Sequence, residues 1–349
     1  MQGEMTDLPQ SIDTEEQLDE LLSRPGPAVV DALGRMRGDL MIVGGGGKIG
    51  LSLSMMALRA ARLAGSGQKI IVVGRSWGGS RSQGLDQLGA ELIACDLLDQ
   101  DAVNSLPQAP NVIYLAGMKF GTTGSPHLTW AANALIPAYV ARRLVRSRIV
   151  AFSTGCVYEF VDVNSRGSVE TDPLTPPGEY ANSCVARERV FEYFSATAGT
   201  PVLLLRLNYA VEMRYGVLAD IATEVWNDRP VDVTMGYVNV IWQGDVNAAT
   251  IRLLDHAASP AVPMNIAGPE TLSVRQLAQE FGRMMGRTPR IVGKESPTAL
   301  LSDSSRACGI LGRPSVPVEQ VMRWVAGWVQ RGGRLLNKPT HFQTRDGKY

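Results

Sequence analysis

The sequence predicts an α/β protein: a doubly wound parallel sheet with helices on both faces, followed by a smaller C-terminal region. Three observations predict this class. Short apolar runs recur from residue 40 onward, at Leu40–Val43, Ile70–Val73, Glu91–Ala94, Val112–Leu115, Ile149–Phe152 and Val202–Leu205. Runs this short, continuous and rich in β-branched residues read as strands buried on both faces. Amphipathic stretches alternate with them, as the crossovers of a parallel sheet require. The third observation lies where the first run meets its helix. Met41-Ile-Val-Gly-Gly-Gly-Gly-Lys-Ile-Gly50 places glycines at 44, 47 and 50, just before a stretch rich in Leu, Met and Ala.

In chain order, residues 1–37 read as a helical preface. Asp13 or Thr14 can cap a helix reaching about Leu22, with Gln17 placed for a capping box, and Pro25 and Pro27 break it before Ala28–Met36. This preface is expected to cover a sheet edge or to pack on a partner subunit. After Arg206 the segments are less regular, with helices expected at about Val274–Met285 and Val318–Arg331. Arg334–Tyr349 is polar and reads as a mobile tail or a subunit arm.

Composition excludes several classes of function. Lys plus Arg number 34 and Asp plus Glu number 34 in 349 residues, so no global field draws nucleic acid or an anionic membrane surface. No apolar stretch approaches the roughly 20 residues a membrane-spanning helix needs, and the acidic N-terminus lacks a secretory pattern. A cytoplasmic protein without nucleic-acid or membrane partners is expected. Cys95, Cys156, Cys184 and Cys308 are scattered and form no CxxC pair, which argues against a disulfide framework or a metal site.

The glycine stretch has the form of a phosphate cradle. A tight turn from strand into helix presents unpaired backbone N–H groups at the positive end of the helix dipole, and glycine lets a pyrophosphate come close. Ligands of such a sheet sit at the carboxyl ends of its strands. After the second run stands Gly74-Arg75-Ser76, where a dinucleotide fold usually carries an acid for the adenosine ribose. Arg75 and Ser76, with Arg81 and Ser80 nearby, suit a 2′-phosphate instead, so NADP is expected over NAD. Asp96 and Leu97 follow the third run, and Leu115-Ala116-Gly117 supplies small residues after the fourth.

At this point the chain resembles an extended short-chain dehydrogenase/reductase of the NAD-dependent epimerase/dehydratase family, over roughly Asp39 to Gly332. The residues that carry the resemblance are Gly44-x-x-Gly47-x-x-Gly50, Asp96-Leu97, Leu115-Ala116-Gly117, Asn133, Ser153-Thr154 before Val157-Tyr158, and Glu170 and Pro173 before Tyr180. They continue with Arg206-Leu-Asn208, Trp242-Gln-Gly-Asp245, and Asn265-Ile-Ala-Gly268 before Leu272-Ser-Val274. The resemblance implies a Rossmann-type domain over 38–210 that also receives about 236–268, a substrate region over 211–235 and 269–332, a tail over 333–349, and a homodimer. It implies that Gly44, Gly47, Ile49, Gly50, Asp96, Leu97, Leu115, Ala116, Gly117, Asn133 and Tyr180 hold the dinucleotide, joined by Arg75 and Ser76 on the reading above and by Lys48, which stands in the glycine loop where the family more often has an aromatic residue. Lys119, Phe120, Thr154, Asn208, Arg214, Tyr237 and Trp242 would face a sugar or nucleotide-sugar-like substrate.

In that family a tyrosine acts as acid and base on a substrate hydroxyl while a serine or threonine holds the same oxygen. Tyr180 and Thr154 match those positions. The lysine one turn after the tyrosine is replaced here by Cys184. Bringing a phenol from about 10 to about 7 takes roughly 4 kcal/mol of differential stabilisation. A neutral thiol cannot supply it, and a thiolate opposes it. Lys119 and Lys48 are the candidates for the missing charge, and Lys119 or Cys184 would be the acid or base of a non-redox reaction. Gly155-Cys156 stands where the dehydratase branch carries an Asp-Glu pair, so elimination chemistry is not expected. The expected activity is that of an NAD(P)-dependent oxidoreductase or epimerase. Its alternatives are a catalytically degenerate dinucleotide-binding regulator and a non-redox isomerase or lyase.

Overall fold

The computed structural model describes residues 8–119, 124–338 and 340–347. Two short helices open the chain, α1 (Glu15–Leu22) and α2 (Pro27–Arg35). Thr14 caps α1, accepting from the Gln17 amide while the Gln17 side chain returns a bond to the cap. Strands β1 (Leu40–Val43), β2 (Ile70–Gly74), β3 (Glu91–Ala94), β4 (Asn111–Tyr114), β5 (Arg148–Thr154), β6 (Val202–Leu207) and β7 (Val262–Ile266) form one sheet. The spatial order is β7-β6-β5-β4-β1-β2-β3, and every pairing is parallel. This is the doubly wound Rossmann-like arrangement, with the topological switch between β1 and β4.

The pleat sorts the strand residues into two cores. Leu40, Ile42, Ile70 and Val72 face one side, which α2, α3 (Lys48–Leu63) and a later helix cover. Met41, Val43, Ile71 and Val73 face the other, closed by Val103, Leu106, Val140 and Phe191. One expectation is corrected here: β3 is not buried on both faces, because it is an edge strand and Glu91 and Ala94 are exposed.

Five further helices position the rest: α4 (Glu179–Ala198), α5 (Val217–Trp226), α6 (Gln243–Arg252), α7 (Val274–Met285) and α8 (Val318–Gln330). Helices α5, α7 and α8 enclose a third core with Val231, Val238 and Trp324, and Leu18, Leu21 and Leu22 of α1 are buried in it. The helical preface therefore packs within its own chain, α1 on this core and α2 on the sheet. Among the described residues no helix is long and apolar enough to cross a membrane.

The tail also departs from expectation. Residues 334–338 and 340–347 form no helix or strand, yet they lie back on the same chain, with Phe342 only 4% exposed in the third core.

Candidate active site

The turn between β1 and α3 is built by backbone clearance. Gly44 has φ +89, and a Cβ there would stand 2.7 Å from the Ala116 nitrogen; one on Gly50 would stand 2.7 Å from the Gly44 carbonyl oxygen. Both contacts are with backbone, so neither can be relieved by turning a side chain. Gly47 is the N-cap of α3, no side chain caps that helix, and its first turn holds no acid. Amides at the positive end of a 16-residue helix are thus left facing the carboxyl side of the sheet. These are the features a diphosphate group requires, and the loop fits one.

Around the turn, Leu115 and Ala116 are half-buried and Gly117 is exposed. Asn133 holds this loop in place. Its amide donates 2.9 Å bonds to the Met118 carbonyl and the Ser183 hydroxyl, and its oxygen accepts from the Met118 amide at 2.9 Å. It does so from a single π-helical turn, Ala131–Leu135, a local deformation often found at functional sites. At the far end, Arg75 and Ser76 are exposed beyond β2, and Asp96, also exposed, accepts from the Leu98 amide. Leu97 is buried and Ile49 half-buried.

Thr154 ends β5, half-buried, its hydroxyl oxygen accepting from the Cys156 amide at 3.1 Å. Tyr180 is the second residue of α4 and packs into one cluster with Cys156, Val157, Ala181 and Cys184. Cys184 is fully buried one turn later and hydrogen-bonds to the phenol. Burial, reinforced by the Cys184 and Cys156 thiols, pushes the Tyr180 pKa well above the usual 10, against a weaker opposing pull from Arg187. Burial likewise raises the Cys184 thiol.

Arg187 was missed by inspection of the position one turn after Tyr180. It lies seven residues on, so Tyr180, Cys184 and Arg187 share a helical stripe, a spacing that could have found it. Its guanidinium donates to the Phe152 carbonyl at 3.0 Å and to Asn133, and it lies directly against Gly117. Its Nε and the Tyr114 hydroxyl are buried with no hydrogen-bond partner among the described residues. Behind Thr154, Arg206 and Glu188 form a buried ion pair at 2.7 Å, joined by Ser153 and Tyr158.

The two candidate lysines each lie over an aromatic ring. Lys48 Nζ lies 3.1 Å from the centroid of the Tyr215 ring, and Lys119 Nζ lies 5.9 Å from that of Tyr180. Burial, with repulsion from Lys119 and Lys338, brings Lys48 from 10.5 down to about 7, although Glu212 and Asp220 pull the other way. Phe120 lies outside the described residues, as do the side chains of Ser80 and Arg81.

Other expected substrate residues are engaged elsewhere. The Asn208 amide donates to Asn239 at 2.8 Å and to the Leu300 carbonyl, inside the protein. Arg214 pairs with Glu15, Asp19 and Glu212, tying α1 to the segment after β6. Trp242 is 3% exposed and stacks at a tilt on Trp324, 5.5 Å between centroids. It lines a mostly apolar cavity of about 420 Å³ among α1, α2 and α6 that neither Thr154 nor Tyr180 lines. Tyr237 is half-buried in a two-residue ladder with Leu272–Ser273. No group of three or more potential metal ligands occurs among the described residues.

Residues 40–211 match the NAD dependent epimerase/dehydratase family. Among solved structures, a UDP-glucose 4-epimerase from Thermotoga maritima with UDP-glucose superposes with a TM-score of 0.68 at 18% identity, covering 84% of this chain and 99% of that one. A dTDP-glucose 4,6-dehydratase from Streptomyces venezuelae with NAD and TYD gives 0.71 at 19% identity, with coverage of 84% and 98%. A UDP-glucuronic acid 4-epimerase variant from Bacillus cereus with NAD gives 0.69 at 14% identity, with coverage of 84% and 99%. At these identities the likeness establishes the fold. No curated protein sequence matches the chain.

Proposed function

Because residues 40–211 form a domain of the NAD dependent epimerase/dehydratase family, we propose that this protein is an NADP-preferring oxidoreductase or epimerase acting at a carbinol carbon of a nucleotide-sugar-like substrate. One observation carries the reading: a glycine-cleared, uncapped helix N-terminus, Thr154 at the end of β5 and Tyr180 in the first turn of α4 share the carboxyl side of one sheet. The bound nicotinamide would supply hydride exchange. Thr154 holds the reacting oxygen through its hydroxyl. Tyr180, kept neutral by burial at rest, gives that oxygen its proton when the carbonyl is reduced and, as the phenolate steadied by Lys119, takes the proton back when the carbinol is oxidised.

Arg75 supports the coenzyme preference, since the end of β2 offers a guanidinium and no carboxylate for the adenosine ribose. Exposed apolar side chains support a homodimer. Leu128, Trp130, Leu135 and Tyr193 are each at least 39% exposed and lie on the helices of residues 126–143 and on α4, which pack side by side.

A second reading has its own support. Cys184 in place of lysine, with the phenol raised rather than lowered, fits a dinucleotide-binding regulator without turnover. One experiment separates the two. With NADPH or NADP and a panel of UDP- and dTDP-sugars, the enzyme reading expects a change in nicotinamide absorbance or epimerised product, abolished in Tyr180→Phe with coenzyme affinity kept. Coenzyme binding without any hydride exchange in the wild type selects the regulator.

A further inference from the structure

The described residues of the C-terminal segment lie back against the elements that carry Arg214, Asp220, Thr298 and Gly178. Leu336 donates its amide to the Arg214 carbonyl at 3.0 Å. The amide and hydroxyl of Thr340 both donate to one Asp220 oxygen, each at 2.7 Å. Phe342 is buried in the third core. The Arg345 guanidinium lies 4.3 Å from the Phe160 ring centroid and donates to the Thr298 carbonyl and hydroxyl at 2.7 and 2.6 Å.

The path ends on the helix that carries Tyr180. Gly347 meets Gly178, the N-cap of α4, backbone to backbone: a Cβ on Gly178 would stand 2.4 Å from the Gly347 oxygen, and one on Gly347 would stand 2.5 Å from the Pro177 oxygen. A contact this close admits no side chain on either residue. Near its start the segment brings Lys338 within electrostatic reach of Lys48, and its anchor Asp220 is in turn within reach of Lys119.

We propose that residues 334–338 and 340–347 form a strap that completes the substrate site, seating the first turn of α4 through Gly347 and adding Lys338 to Lys48 and Lys119 as a recognition group for the phosphates of the substrate. The anionic ligand rests on the nucleotide-sugar reading above, whereas the seating of α4 does not. The strap is held by separate backbone and side-chain anchors, with no β-ladder among its described residues, so it can leave without unfolding the sheet. Ligand phosphates, by relieving the repulsion that Lys119 and Lys338 each exert on Lys48, would hold it down.

Two measurements on the full chain test this. The first is hydrogen exchange at the amides of residues 182–184 in wild type, Thr340→Val and Phe342→Ala. Release of the strap should speed exchange there at least tenfold while the amides of β1, β4 and β5 keep their protection. Unchanged exchange in both variants overturns the seating of α4. The second is calorimetric titration with UDP in wild type and Lys338→Glu, where the surface charge reversal leaves the anchors intact. Affinity for UDP should fall about tenfold or more with affinity for NADP unchanged. Equal UDP affinity in the two proteins overturns the recognition role. A wild type that ignores UDP overturns the recognition role and the nucleotide-sugar reading together, while the exchange result still decides the seating of α4.

Discussion

Lys48 offers the sharpest perturbation. Its ammonium is packed over Tyr215 with Lys119 and Lys338 nearby, and its pKa falls from 10.5 to about 7. The difference, 10.5 minus about 7, corresponds to about 5 kcal/mol at about 1.4 kcal/mol per pH unit. That figure is a ceiling, because a lysine stem swings its head toward water when the folded protein allows it. About 2 kcal/mol is the expected penalty of the charged form. Between pH 7 and 10.5 the unfolded chain keeps a proton that the folded chain has released, so this penalty is full below pH 7 and fades as pH rises toward 10.5. Lys48→Met keeps the stem over Tyr215 and removes the charge. Urea unfolding at pH 6, 8 and 10 should show the variant more stable by about 2 kcal/mol at pH 6, with the gap closing by pH 10. The same variant should bind coenzyme or UDP more weakly, since the charge that costs stability attracts phosphate. A gap that is independent of pH, or a variant less stable at pH 6, refutes the reasoning.

Arg206→Met should cost about 3–5 kcal/mol in urea unfolding, because it strands the buried Glu188 carboxylate, and adding Glu188→Leu should recover most of the loss; a cost below 1 kcal/mol counts against the pair. Arg75→Asp should lower the preference for NADP over NAD at least tenfold by ratio of dissociation constants, and an unchanged ratio removes Arg75 from coenzyme selection. Leu135→Glu together with Tyr193→Glu should halve the mass measured by light scattering, whereas a wild type that is already monomeric contradicts the dimer.

Much of the fold was legible because it rests on short-range pattern. Each of the six apolar runs became a strand of the sheet, within a residue or two of its expected ends. The seventh strand, Val262–Ile266, hides its pattern behind Pro263 and Asn265, residues that an edge position tolerates. The glycine turn was readable for the same reason, since its clearances are local. Long-range partners were not readable. Besides Glu212, two residues before it, Arg214 finds acids 195 and 199 residues away on α1, and nothing in its neighbourhood announces those. Asn208 and Trp242 follow the motif order of a substrate wall, yet Asn208 is buried against Asn239 and Trp242 against Trp324. The tail looked mobile because its anchors, Thr340, Phe342 and Arg345, have no periodicity, and their partners lie on three separate elements.

The account rests on a diphosphate group seated over the turn from β1 into α3, and titration calorimetry with NADP and NAD tests it most directly. The wild type should bind at least one coenzyme saturably, one per chain. Gly50→Ala, whose methyl would meet the Gly44 carbonyl at 2.7 Å, should bind at least tenfold more weakly while remaining folded. Absence of binding to either coenzyme by the wild type, or equal binding by the variant, would contradict the account.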